Sequence, residues 1–126
     1  MDNKKHILVV EDENTLAFAL KKKLESAGYI VNVALDGKEA LNKIEQEKPD
    51  LVLLDLILPV MDGFTVLREL KKKPEYESMP VIVLTNLSSD EDIADVLNAG
   101  GTDYFIKTEH SLDDIILTVK NKFEML

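Results

Sequence analysis

Three short, unbroken apolar runs, at residues 7–10, 51–54 and 81–84, constrain this chain more than any other feature of its sequence. Each is too short for a buried helix. None contains a polar residue with which a strand could face water on one side, so all three read as strands of a parallel sheet covered on both faces. Two further candidates, at 30–34 and 104–106, are interrupted or flanked by polar residues such as Asn32 and Asp103, and these fit the sheet edges.

Between the strands the apolar spacing changes from continuous to helical. Leu16, Leu20, Leu24 and Ala27 recur at three or four residues, as do Leu112, Ile115 or Ile116, Val119 and Phe123. Shorter helices are implied at 38–46, 63–72 and 90–98. Ser111 with Asp114 three residues on resembles a capping box, and Gly28 and Gly100 stand where helices should end. Five strand–helix alternations without a repeat or long linker require right-handed crossovers. The expected fold is therefore α/β and flavodoxin-like, a (βα)5 three-layer sandwich with a parallel five-stranded sheet of order 2-1-3-4-5, in which the interrupted strands are edges.

Composition narrows the functions open to such a chain. Its 126 residues suit a single domain spanning 1–126, and 45% hydrophobic with 31% charged residues is the mixture of a globular protein. No apolar run approaches the length needed to cross a bilayer, and the four apolar residues after His6 are too few for a signal peptide. The absence of cysteine removes disulfide, thiolate and sulfur-ligand chemistry and fits a cytoplasmic location. A formal charge of −9 argues against a direct grip on nucleic acid. The lysine triplets at 21–23 and 71–73 read as solvated helix faces.

In a sheet of this kind ligands bind beyond the carboxyl ends of the strands. The residues found there are few: Glu11 and Asp12 after the first strand, Asp55 after the third, Thr85 after the fourth and Lys107 at the end of the fifth. Three converging carboxylates raise one another's pKa unless a cation neutralises them. Oxygen donors without cysteine or clustered histidine favour Mg²⁺. A carboxylate can also attack phosphorus when the transferred charge is offset, here by the metal, by Lys107 and by the Thr85 hydroxyl.

The segments LVVEDE at 8–13, LVLLDLILPVMDG at 51–63, VIVLTN at 81–86 and AGGTDYFIK at 99–107, in that order and spacing, resemble the receiver domain of two-component response regulators over essentially the whole chain. The resemblance implies a phosphorylation-activated switch. Asp55 would be the phosphoacceptor. Asp12, Asp55 and the backbone carbonyl of Ile57 would bind Mg²⁺, with Glu11 holding metal-bound water. Thr85 and Lys107 fall on the family's hydroxyl and lysine positions, and Tyr104 on its switch aromatic, a local charge change then biasing a bistable element. It also implies a sensor histidine kinase or histidine phosphotransfer protein as donor, a downstream protein target, and a monomer or phosphorylation-dependent dimer. The only chemistry catalysed would be the protein's own phosphorylation and dephosphorylation.

Some positions depart from the family pattern. Thr108 stands where proline usually follows the lysine; a cis bond costs ~3 kcal/mol at a non-proline residue, so the family's cis bond is in question here and the sequence leaves the isomer open. Asn86 replaces a small residue and would narrow access to the site. Ile57 and Leu87, at positions that tune phosphoryl lifetime, are apolar and cannot orient water, so slow dephosphorylation is expected.

Blander roles are expected elsewhere. Asp62 reads as a helix cap, His6 and His110 as surface histidines, Met61 and Met79 as packing residues, and the last helix through Phe123 and Leu126 as core packing. The chain ends after this helix, so a stand-alone or excised receiver is expected. Two other functions fit part of the pattern: a constitutive interaction scaffold that has lost the switch, and a Mg²⁺-dependent phosphatase with an aspartyl nucleophile. The phosphatase needs a second acid where Ile57 stands. A nucleotide or flavin binder lacks its glycine-rich loop after the first strand.

Overall fold

The computed structural model describes residues 3–125. Its strands are β1 (His6–Val10), β2 (Ile30–Ala34), β3 (Leu51–Leu54), β4 (Val81–Thr85) and β5 (Asp103–Ile106). The helices are α1 (Asn14–Ser26), α2 (Gly37–Gln46), α3 (Gly63–Lys71), α4 (Asp90–Asn98) and α5 (Leu112–Glu124), with 3-10 turns at Pro74–Tyr76 and Lys107–Glu109. All strand pairs are parallel and the order is β2-β1-β3-β4-β5. Both were expected from the apolar runs.

Alternation along the strands divides the core between the two faces of the sheet. Leu8, Val10, Val52, Leu54, Val81 and Val83 pack with Ala40 and Ile44 of α2, Val66, Leu67 and Leu70 of α3, and Val96 of α4. Ile7, Val9, Leu51, Leu53, Ile82 and Leu84 pack on the other face with Leu20 and Leu24 of α1 and Ile115 and Val119 of α5. Leu54 is fully enclosed, so its truncation to alanine would cost about 2–5 kcal/mol.

Four helices begin on a side-chain cap: Asp36, Asp62, Ser89 and Ser111 each accept the amide of a residue in the first turn, and Ser111 with Asp114 forms the full capping box. Each such cap is worth about 1 kcal/mol. The N-cap of α1, Glu13, makes no such bond. Helices α1 and α4 end just before Gly28 and Gly100, whose φ angles of 101° and 104° place them in the left-handed region.

One lysine triplet departs from the solvated-face reading. Lys71, at the end of α3, turns back into the protein and donates to the carbonyls of Tyr76, Glu77 and Met79 at 3.0, 3.2 and 2.7 Å. Its stem lies beneath Gly100, where an added Cβ would stand 2.9 Å from Lys71 Cγ. Burial pushes its pKa down, with Glu77 acting in the opposite sense. Lys72 and Lys73 are exposed and pair with Glu69 and Glu45.

Met79 is buried and Met61 packs against the core. His6 is half-buried at the amino end of β1, with Nδ1 3.0 Å from Glu47 Oε1. His110 meets Phe105 edge-on at 4.8 Å. Phe123 packs on the α1–α5 side of the core, while Leu126 lies outside the described residues. No helix of the described residues is long and apolar enough to cross a membrane.

Candidate functional site

The polar residues at the carboxyl ends of the central strands are fixed by the sheet ladder itself. The Glu11 amide donates to the Ala34 carbonyl and the Asp55 amide to the Val10 carbonyl, both at 3.0 Å, so β1 and β3 carry each acid one residue past the apolar run. Both side chains are enclosed, Glu11 at 2% exposure and Asp55 at 5%. Asp12 is exposed beside them. A carboxylate oxygen from each of Glu11, Asp12 and Asp55 lies within 4.8 Å of those of the other two.

Lys107 enters from the end of β5. Its Nζ lies 2.8 Å from Asp55 Oδ2 and 2.5 Å from Glu11 Oε1. The other oxygens are also engaged: Ile57 donates its amide to Asp55 Oδ1 at 3.2 Å, and Glu13 donates to Glu11 Oε2 at 3.0 Å. Burial raises the Glu11 pKa, and the hydrogen bond from Lys107 moderates the rise. For Lys107, burial would lower the pKa, but the bonds to Asp55 and Glu11 outweigh it and the net shift is upward.

Three carboxylates facing one ammonium leave two negative charges when all are ionised. That imbalance, with an all-oxygen donor set open through Asp12, fits a hard divalent cation such as Mg²⁺.

Thr85, the last residue of β4, is fully buried, and its Oγ1 lies 3.5 Å from the Leu87 amide, a long contact. Tyr104 of β5 points its hydroxyl into the same connection and donates to the Leu87 carbonyl at 2.7 Å. Burial, then Asp92 and Asp55, raise its pKa. No peptide bond among the described residues is cis, so the Lys107–Thr108 bond is trans, and a 3-10 turn begins at Lys107. Asn86 is exposed at the rim.

The loop from Asp55 to α3 is closed by backbone contacts that few residues in the sequence pointed to. Gly63 donates to the Leu56 carbonyl at 2.9 Å. An added Cβ on Gly63 would meet the Asp55 carbonyl at 2.1 Å. Between them Val60 has φ of 69°, and Met61 donates to the Pro59 carbonyl at 2.7 Å, forming a γ-turn centred on Val60. A β-branched residue in this region costs about 1–3 kcal/mol. Ile57 and Val60 project into solvent at 56% and 78% exposure. Asp62 caps α3 and is not part of the site. The Asp-Gly pair at 62–63 was the only available signal of these close contacts.

A family described as the response regulator receiver domain matches residues 7–120. A probable transcriptional regulator, ycf27, of Cyanophora paradoxa is 42% identical over 105 residues, which are 83% of this chain and 43% of that protein. Its counterpart in Guillardia theta is 38% identical over 107 residues, 85% of this chain and 41% of that protein. The chain thus spans about two-fifths of the length of these relatives. Among solved structures, the receiver domain of the Francisella response regulator 1452 superposes with a TM-score of 0.89 at 34% identity, covering 97% of this chain and 98% of that one. A CheY-like response regulator receiver domain protein from Methanospirillum hungatei JF-1 gives 0.90 at 33%, covering 98% and 96%.

Proposed function

The chain belongs to the response regulator receiver domain family, and on that premise we propose that it is a phosphorylation-activated switch whose acceptor is Asp55. The observation that carries this reading is the Lys107 ammonium held against both Asp55 and Glu11 beside an open acidic cluster. A carboxylate oxygen of Asp55 would attack the phosphorus of a phosphohistidine on a sensor kinase or phosphotransfer protein. The P–O bond forms as the P–N bond breaks, and the imidazole leaves with its electron pair. Mg²⁺, held by Asp12, Asp55 and the Ile57 carbonyl with Glu11 behind its water, would offset charge on the transferring group. Lys107 already lies within reach of the acceptor and supplies a further positive charge.

The response would run through the β4–α4 connection. Thr85 would turn its hydroxyl toward the new phosphoryl oxygens, and its contact with Leu87 is long enough to be given up at little cost. Leu87 also holds the Tyr104 hydroxyl, so movement there would alter the face around α4 and β5 that a downstream protein target reads. The chain would act as a monomer or a phosphorylation-dependent dimer in the cytoplasm.

Intact mass after incubation with acetyl phosphate, with and without Mg²⁺, tests the reading. The expected result is a Mg²⁺-dependent gain of one phosphoryl group that disappears in Asp55→Asn. No gain in the parent, either with acetyl phosphate or with a phosphorylated histidine kinase, would favour the scaffold.

A further inference from the structure

At the first residue of α2, the β3–α3 loop approaches so closely that no side chain fits. An added Cβ on Gly37 would lie 2.1 Å from the Met61 carbonyl oxygen, 2.8 Å from the Met61 carbonyl carbon and 2.8 Å from Val66 Cγ2. Two of these atoms are backbone, so the collision cannot be relieved by a rotamer change. The requirement is for space, because Gly37 has no positive φ.

The same loop contains Val60 at φ 69°. A β-branched residue stays in that conformation only where its surroundings dictate it, and the Val60 side chain is in solvent. The constraint therefore comes from the residues on either side. Leu58 and Met61 pack on the core, Gly63 bonds to Leu56, and the Met61 carbonyl is seated over Gly37.

We propose that Gly37, on a different strand–helix unit from every residue of the acidic site, is a positioning residue for metal binding: by accepting the Met61 carbonyl it holds the β3–α3 loop in the left-handed turn at Val60 and so sets the place of the Ile57 carbonyl. The inference rests on the reading above that Asp12, Asp55 and Ile57 hold Mg²⁺. An alanine at 37 would push the Met61 carbonyl outward and release the Val60 turn. Remote groups that orient metal ligands commonly change affinity by about 10–100-fold.

The test is the Mg²⁺ dissociation constant, measured by isothermal titration calorimetry on the full chain without phosphodonor, with folding checked by circular dichroism. Gly37→Ala is expected to weaken Mg²⁺ binding by about ten-fold. Val60→Pro, whose ring excludes positive φ, is expected to weaken it similarly. Val60→Gly, which permits positive φ, is expected to keep the parent's affinity. Should Gly37→Ala fail to fold, the two Val60 variants carry the test, because that side chain has no core packing to lose. Parent-like affinity in folded Gly37→Ala, or in Val60→Pro, would overturn the inference, as would equal losses in Val60→Gly and Val60→Pro. A parent that binds no Mg²⁺ would instead overturn the metal-site reading on which it rests.

Discussion

Tyr104 donates its hydroxyl proton to the carbonyl of Leu87 at 2.7 Å, tying the middle of β5 to the connection that follows β4. The loss of this bond is measurable without any phosphodonor. Tyr104→Phe is expected to lower stability toward urea by about 1 kcal/mol, the usual net worth of one such bond. Amide exchange at Ser88 and Ser89 should quicken with it. Unchanged exchange there would mean that the connection is held by other contacts.

Lys107 occupies the middle of the acidic cluster as an internal cation. Lys107→Met leaves Glu11 and Asp55 enclosed without their partner and should cost about 3 kcal/mol in metal-free buffer, the low end for a broken buried pair because Lys107 retains some contact with water. Mg²⁺ bound at the proposed site, which exists only in the folded form, should restore part of this. The rise in melting temperature on adding Mg²⁺ is therefore expected to be larger in the variant than in the parent, and an equal rise would argue that lysine and metal do not share the same charges.

Ile57 projects into solvent two residues from Asp55, the proposed acceptor, and offers no polar group to an attacking water. Ile57→Asn is expected to shorten the phosphoryl half-life by roughly ten-fold, the effect of about 1.4 kcal/mol of added water positioning. The decay of the phosphorylated mass with time decides it. A half-life equal to the parent's would place control of dephosphorylation elsewhere.

The raised pKa of Glu11, driven by burial, makes a signed prediction about acidity. Between the unfolded value of 4.5 and the higher folded value, the native state binds more protons at this group than the unfolded state does. Its contribution to stability is therefore full below pH 4.5 and is lost as pH rises through the folded value. In metal-free urea titrations, the stability of the parent minus that of Glu11→Gln should fall as pH rises from 4.5 toward neutrality. A difference that stays flat or grows with pH would contradict the burial argument.

The sheet order and the residues at its carboxyl edge were legible because parallel strands leave so few choices. Continuous apolar runs mark the central strands, and whatever polar residue follows each run must lie at the same edge. Glu11, Asp12, Asp55, Thr85 and Lys107 were found in this way; the structure brings the three acids and Lys107 together and buries Thr85 at the end of β4. Lys71 was misread, because three consecutive lysines on a helix give no sign that one of them turns back onto carbonyls five, six and eight residues later. Backbone approaches were equally hidden. The contact between Gly37 and Met61 joins the start of α2 to the β3–α3 loop through a carbonyl, and every residue has a carbonyl. The left-handed turn at Val60 runs against the preference of valine, so only long-range packing could have revealed it.

The lysine run at the end of α3 has a further meaning for how other molecules meet this surface. Lys71 spends its hydrogens on three carbonyls, Lys72 faces Glu69 and Lys73 faces Glu45. A polyanion drawn to the triplet would have to displace an internal bond or a neighbouring acid at each step. What is written in the chain as a basic tract is, in the folded molecule, nearly silent as a docking signal.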